Sequence, residues 1–156
     1  MGVVDILPFL QECRTRQNSF EISLSDEERD IVVRIEIEKA RRAYEEALVL
    51  LENEFWSGAA GRLYYAIFHA VSGLLISDKH QVNSHKGSHI LFSNYYIKTG
   101  ALPNSFGTLY SQLESMREES EYNCTYDVDP EDLKQRIAPA KQMIDAIEQL
   151  IKSSQR

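Results

Sequence analysis

The sequence predicts an all-α fold, an up-and-down bundle of four to five helices. Three observations carry this expectation. Apolar residues recur at helical spacing over most of the chain after Ser25. Helix starts and stops are marked by capping residues, glycine and proline. No set of alternating apolar and polar runs is present from which a sheet could be built.

The elements follow in order. Ser25 with Glu28 three residues later forms a capping box, and Asp26 and Glu27 place negative charge where a helix dipole favours it. The helix this starts should run to about residue 53, with Ala40, Ala43, Tyr44, Ala47, Leu48 and Leu51 at helical spacing. Its opening, residues 31–37, is rich in β-branched side chains and partly alternates, as a strand would; length and capping favour helix. Ser57 is the expected cap of a second helix of roughly 20 residues, ending near Ser77 or Lys79. A polar loop over 78–84 leads to a third helix over about 86–99, stopped by Gly100 and Pro103. A fourth spans about 104–122. Asp129, Pro130 and Glu131 supply the cap, first-position proline and first-turn acid of a fifth. That helix carries Leu133, Ile137, Ala140, Ile144, Ile147 and Ile151 on one stripe, and Pro139 inside it predicts a kink or a break. Residues 1–24 read as an N-terminal arm with a short helix over 6–14, and residues 25–156 as the helical bundle domain.

Composition narrows the function. With 156 residues, 43% of them hydrophobic and 26% charged, the chain is one domain able to bury a core without staples. Its net charge of −7 excludes a broad basic surface of the kind that grips nucleic acid nonspecifically, and leaves room for a small, locally positive site. No uninterrupted apolar run is long enough to cross a bilayer, and no basic segment followed by an apolar signal region opens the chain, so no membrane association and a cytoplasmic location are expected. Cys13 and Cys124 have no motif spacing and suit a reducing compartment.

The second helix contains the most informative residues, Arg62 and His69. Seven residues at 3.6 per turn return to nearly the same face, roughly 10 Å apart along the axis. Leu63, Ile67, Ala70, Val71 and Leu74 cover one broad side of that helix, extended by Tyr64, Phe68 and Leu75. The narrow face with Arg62 and His69 also carries Gly58, Ala66 and Gly73, with Tyr65 on its shoulder. Small residues there admit a close neighbour, which could be another helix, a second subunit or a ligand. In the plainest reading Arg62 answers a carboxylate on a neighbouring helix, Glu118 and Glu121 being candidates, and His69 is a satisfied core residue. His80, His85 and His89 have no accompanying cysteine and no zinc spacing, so no metal and no cofactor are expected. Lys79, His80, His85 and Lys86 instead form either a small phosphate-friendly patch with the amides that open the third helix, or a solvated loop.

The ordered residues Arg62, Tyr64, Tyr65, Ala66, Phe68 and His69 resemble the HEPN superfamily, in particular its small stand-alone prokaryotic type. Ser84-His85-Lys86-Gly87 is similar to that type's His-containing loop, Lys98-Thr99-Gly100 to the turn after the third helix, and residues 117–122 to the arginine-acid-tyrosine segment of the fourth. The resemblance covers about residues 35–152. It implies a HEPN-like bundle that forms a homodimer with Arg62 and His69 at a shared cleft. It further implies a metal-independent endoribonuclease, a toxin or defence component, in which both residues are catalytic and Tyr65, His85 and Lys86 contact RNA or a nucleotide. A nucleotidyltransferase-fold antitoxin is the partner it implies. The alternative is a noncatalytic HEPN module that binds a nucleotide or such a partner. Two positions depart from the pattern: Gly61 stands where Asn, Ser or Asp is usual, and Val71 where some toxins carry a tyrosine that the partner modifies with AMP.

Overall fold

A computed structural model describes residues 23–155. Five α-helices account for most of them: α1 (Asp26–Glu52), α2 (Trp56–Ser77), α3 (His85–Phe92), α4 (Asn104–Tyr122) and α5 (Pro130–Ser154). No strand occurs among the described residues, which bears out the all-α bundle. The short helix expected over residues 6–14 lies outside the described residues, as does most of the arm.

Local chemistry sets the ends. In α1 the capping box forms: Ser25 Oγ accepts from Glu28 N, and Ser25 N donates to Glu28 Oε2 at 2.8 Å. The β-branched opening is helical, so capping and length override the partial alternation. At α5, Asp129 accepts from the amides of Glu131 and Asp132, and Pro130 takes the first position. Pro139 does not split α5, which runs unbroken from Pro130 to Ser154.

Two boundaries differ from expectation. Ser57 does not cap α2; the helix starts two residues earlier than such a cap would place it, at Trp56, behind Phe55. Glu54 takes a left-handed φ of 63° and turns the chain sharply out of α1. Trp56 packs against the core, with Lys134 Nζ 5.5 Å from its ring centroid, and this holds the first turn without a capping side chain. The third helix ends early as α-helix: Ser93–Ile97 winds as a π-helical turn. Within it Tyr96 is buried, its hydroxyl donates to Asp78 at 2.5 Å, and its carbonyl accepts from Leu102 N.

α2 is the central helix, packing on α1, α3, α4 and α5. It is long and apolar enough to cross a membrane, but most of that surface is buried in the bundle: Leu63, Tyr64, Ile67, Ala70, Val71 and Leu75 are fully enclosed. α1 runs antiparallel to it. Ala40, Ala43 and Ala47 of α1 and Ala59, Ala66 and Ala70 of α2 are buried, and small side chains let helices approach closely. Gly73 extends this contact: a Cβ there would lie 3.3 Å from Ile37 Cδ1 and 3.4 Å from Glu36 Cβ. Arg29 fastens the open end by donating to the Ile76 carbonyl at 3.1 Å, and Arg41 joins α1 to Asp145 and Glu148 of α5.

Candidate active site around Tyr65

The close neighbour expected beside Arg62 and His69 is α1 of the same chain. Its antiparallel register sets an acid opposite each. His69 Nδ1 lies 2.7 Å from Glu36 Oε2, both side chains being mostly buried. Arg62 Nε lies 2.9 Å from Glu46 Oε2, without the alignment of a hydrogen bond. The acid facing Arg62 is therefore Glu46, not Glu118 or Glu121. Both members of this second pair reach solvent, and with Arg42, Glu45, Val49 and Leu50 they line an open groove of about 400 Å³.

Tyr65 connects this face to the rest of the site. Arg62 Cζ is 5.4 Å from its ring centroid, and Arg117 Cζ, from α4, is 5.7 Å away. The imidazoles of His69 and His85 lie 6.3 and 5.9 Å from the same centroid. Four groups that carry or can carry positive charge thus surround one half-buried tyrosine in an acidic protein. Arg117 Nη1 also donates to Tyr65 Oη at 3.2 Å, and its guanidinium covers the face of Tyr64 at 4.8 Å.

His85 enters because Ser84 caps α3, accepting from Gly87 N, and delivers the first side chain of the helix onto α2. Its ring stacks on Phe68 at 4.1 Å, and its Nδ1 is 2.9 Å from Tyr64 Oη. Burial lowers its pKa from the ordinary histidine value, and Arg117 and His69 push the same way against an opposing Glu114. Burial raises Tyr64 well above the usual phenol range, with Glu114 adding to it. A protonated hydroxyl can donate to Nδ1 of a neutral imidazole, and in that tautomer the ring proton of His85 is on Nε2.

Of the five residues singled out in the sequence, Arg62, Tyr65, His69 and His85 converge. Lys86 is exposed and makes no ion pair or hydrogen bond among the described residues. The wider patch does not assemble, because Lys79 faces Asp26 at 3.6 Å and His80 stacks on Tyr95 at 4.1 Å. His89 turns to α4, where Nδ1 meets Glu114 at 2.6 Å and Nε2 meets Ser111 Oγ at 3.2 Å. This has the atom order of a nucleophilic triad. Ser111 sits inside α4, however, where the backbone amides are spent on the helix and cannot hold an oxyanion. Sequence reasoning about single residues missed Glu36, Glu46 and Arg117. The one available signal was Arg117, which opens the segment of α4 noted above.

The HEPN domain family matches residues 33–150, which include Tyr65 and every side chain gathered around it. The chain belongs to the HEPN family. Among the proteins this HEPN domain is similar to, a UPF0332 protein of Thermotoga maritima is 32% identical over 118 residues, 76% of this chain and 89% of the relative. A protein of Methanocaldococcus jannaschii, named a putative toxin, is 27% identical over 116 residues, 74% of this chain and 86% of its own length. A second protein so named from that organism is 28% identical over 96 residues, 62% and 65% of the two chains.

Proposed function

We propose that this HEPN domain is a metal-independent endoribonuclease acting as a toxin or defence component. The observation that carries the reading is the His69–Glu36 pair within the cationic cluster around Tyr65. A carboxylate on Nδ1 fixes the ring and favours the imidazolium that forms when Nε2 accepts a proton. His69 takes the proton of an RNA 2′-hydroxyl, O2′ attacks the adjacent phosphorus, and the P–O5′ bond breaks. The products are a 2′,3′-cyclic phosphate and, once O5′ takes a proton, a 5′-hydroxyl. Arg62 offsets charge on the phosphoryl oxygens. In this reading the protein works as a homodimer whose second copy supplies a protonated imidazole for O5′, and a nucleotidyltransferase-fold antitoxin covers the cleft. The toxin names of two relatives support the biological role.

The test is incubation of purified protein with RNA in excess EDTA. Cleavage to cyclic-phosphate ends is expected, reduced about a hundredfold or more in His69→Ala and Arg62→Ala, as loss of a general base or a charge-stabilising donor predicts. Equal cleavage by the variants sinks the assignment. The Arg62–Glu46 pair favours a second reading, a noncatalytic module binding a nucleotide; nucleotide binding by calorimetry with no cleavage of any RNA would select it.

A further inference from the structure

Chemistry at a phosphodiester needs a cation on the phosphate, and the two arginines beside Tyr65 are differently engaged. Arg62 already faces Glu46 at 2.9 Å. Arg117 faces Glu121 only at 3.6 Å, and that acid is 43% exposed while the Arg117 side chain is 13% exposed. One of its nitrogens is spent on Tyr65 Oη, and its Nε, like that of Arg62, is buried without a hydrogen-bond acceptor. A guanidinium that is enclosed, fixed by two aromatic faces and short of acceptors is prepared for an anion.

We propose that Arg117 and His85 form the phosphate-binding half of the site, holding the phosphodiester of an RNA strand beside His69. This rests on the ribonuclease reading and adds two positioning groups to it. Phe68 neighbours both imidazoles, its centroid 5.4 Å from that of His69 and 4.1 Å from that of His85, so base and phosphate donor share one aromatic neighbour. With Tyr64 on its Nδ1, His85 offers Nε2–H as a neutral donor. Arg117 supplies the charge and His85 the direction. Arg62, on the groove side of Tyr65, is left to the charge that develops during reaction.

The test separates binding from cleavage by using a 2′-O-methyl RNA oligomer, which cannot cyclise, with the full chain in fluorescence anisotropy across a salt series. Arg117→Gln is expected to weaken binding about tenfold or more and to lower the slope of log K against log salt by about 0.7, one phosphate contact on a single strand. Arg117→Lys keeps the charge but not the fork, and is expected to recover the slope while binding about threefold or more below wild type. His85→Gln is expected to weaken binding with the slope unchanged. Circular dichroism of each variant identifies folded protein; if Arg117→Gln unfolds, Arg117→Lys decides. Wild-type affinity and slope in folded Arg117→Gln, or wild-type affinity in Arg117→Lys, overturns the assignment and leaves the ribonuclease reading standing. A wild-type protein that neither binds the oligomer nor cleaves RNA removes both.

Discussion

Tyr65 is only half-buried, yet four cationic or titratable groups stand around it. Its ring offers two guanidinium contacts and its hydroxyl accepts from one of them, so the arginines are held apart without an acid between them. At this scale the titration of His85 has a definite sign. Its folded pKa lies below the unfolded value because of burial, then Arg117 and His69, with Glu114 opposing and Tyr64 in hydrogen-bond contact. Between the two pKa values the unfolded chain binds the extra proton, so stability is complete above about pH 6.5 and falls as pH drops below it. Thermal melts at about pH 7.5 and about pH 5.5 should show a larger loss for wild type than for His85→Gln. An equal loss would mean that another group governs the acid limb. His69 and Arg62 were legible at this scale because their spacing is local. Their partners were not: Glu36 is 33 residues from His69, and Arg117 is 52 from Tyr65. Such pairs exist only once the antiparallel register is set.

At the scale of the element, what was legible depended on whether the signal was contained in the helix itself. The capping box of α1 and the aspartate cap and proline start of α5 involve residues within a turn of one another, and both formed as expected. The start of α2 depended on Trp56 finding the core, which no property of Ser57 could report. The π-helical turn likewise follows from tertiary demand: one extra residue in the turn serves to bring Tyr96 inward to Asp78, on a different segment. Gly61 gives α2 its testable weakness. It lies inside the helix, and a Cβ there would meet nothing within 4 Å. Gly61→Ala is therefore expected to raise the unfolding free energy by about 0.5–1 kcal/mol, measured by urea denaturation, because glycine loses more freedom than alanine on entering a helix. An unchanged or lower midpoint would show that the glycine serves a contact outside the chain. The same open space accommodates the small polar residue usual at this position.

For the molecule as a whole, α2 is both the core and the carrier of the site. Leu63 and Tyr64 are fully buried between the partly buried Arg62 and Tyr65, so residues that fill the bundle sit directly beside those of the candidate site. Leu63→Ala should cost about 2–5 kcal/mol, as truncation of enclosed leucines does. Because every other helix packs on α2, far-ultraviolet dichroism should lose its helical signal in one transition at a lower midpoint. Two separated transitions would mean that part of the bundle holds without α2. Net charge of −7 and a site of four cationic or titratable groups are compatible because the acids are spread over exposed helix faces while the cluster is gathered by packing.

Gly73 has the widest consequence. Its missing side chain sets the separation of α1 and α2 at the level where Glu36 reaches His69, and Glu36 itself supplies one of the atoms a Cβ would touch. The gap works as a gauge: a single methyl group more than a turn beyond the histidine would press on Ile37 and reach contact with Glu36, the residue that aims it. The aim of His69 and the thickness of the α1–α2 hairpin are therefore one variable in this protein. Drift in the packing of α1 would register as a change in the His69–Glu36 contact before it registered as a loss of fold.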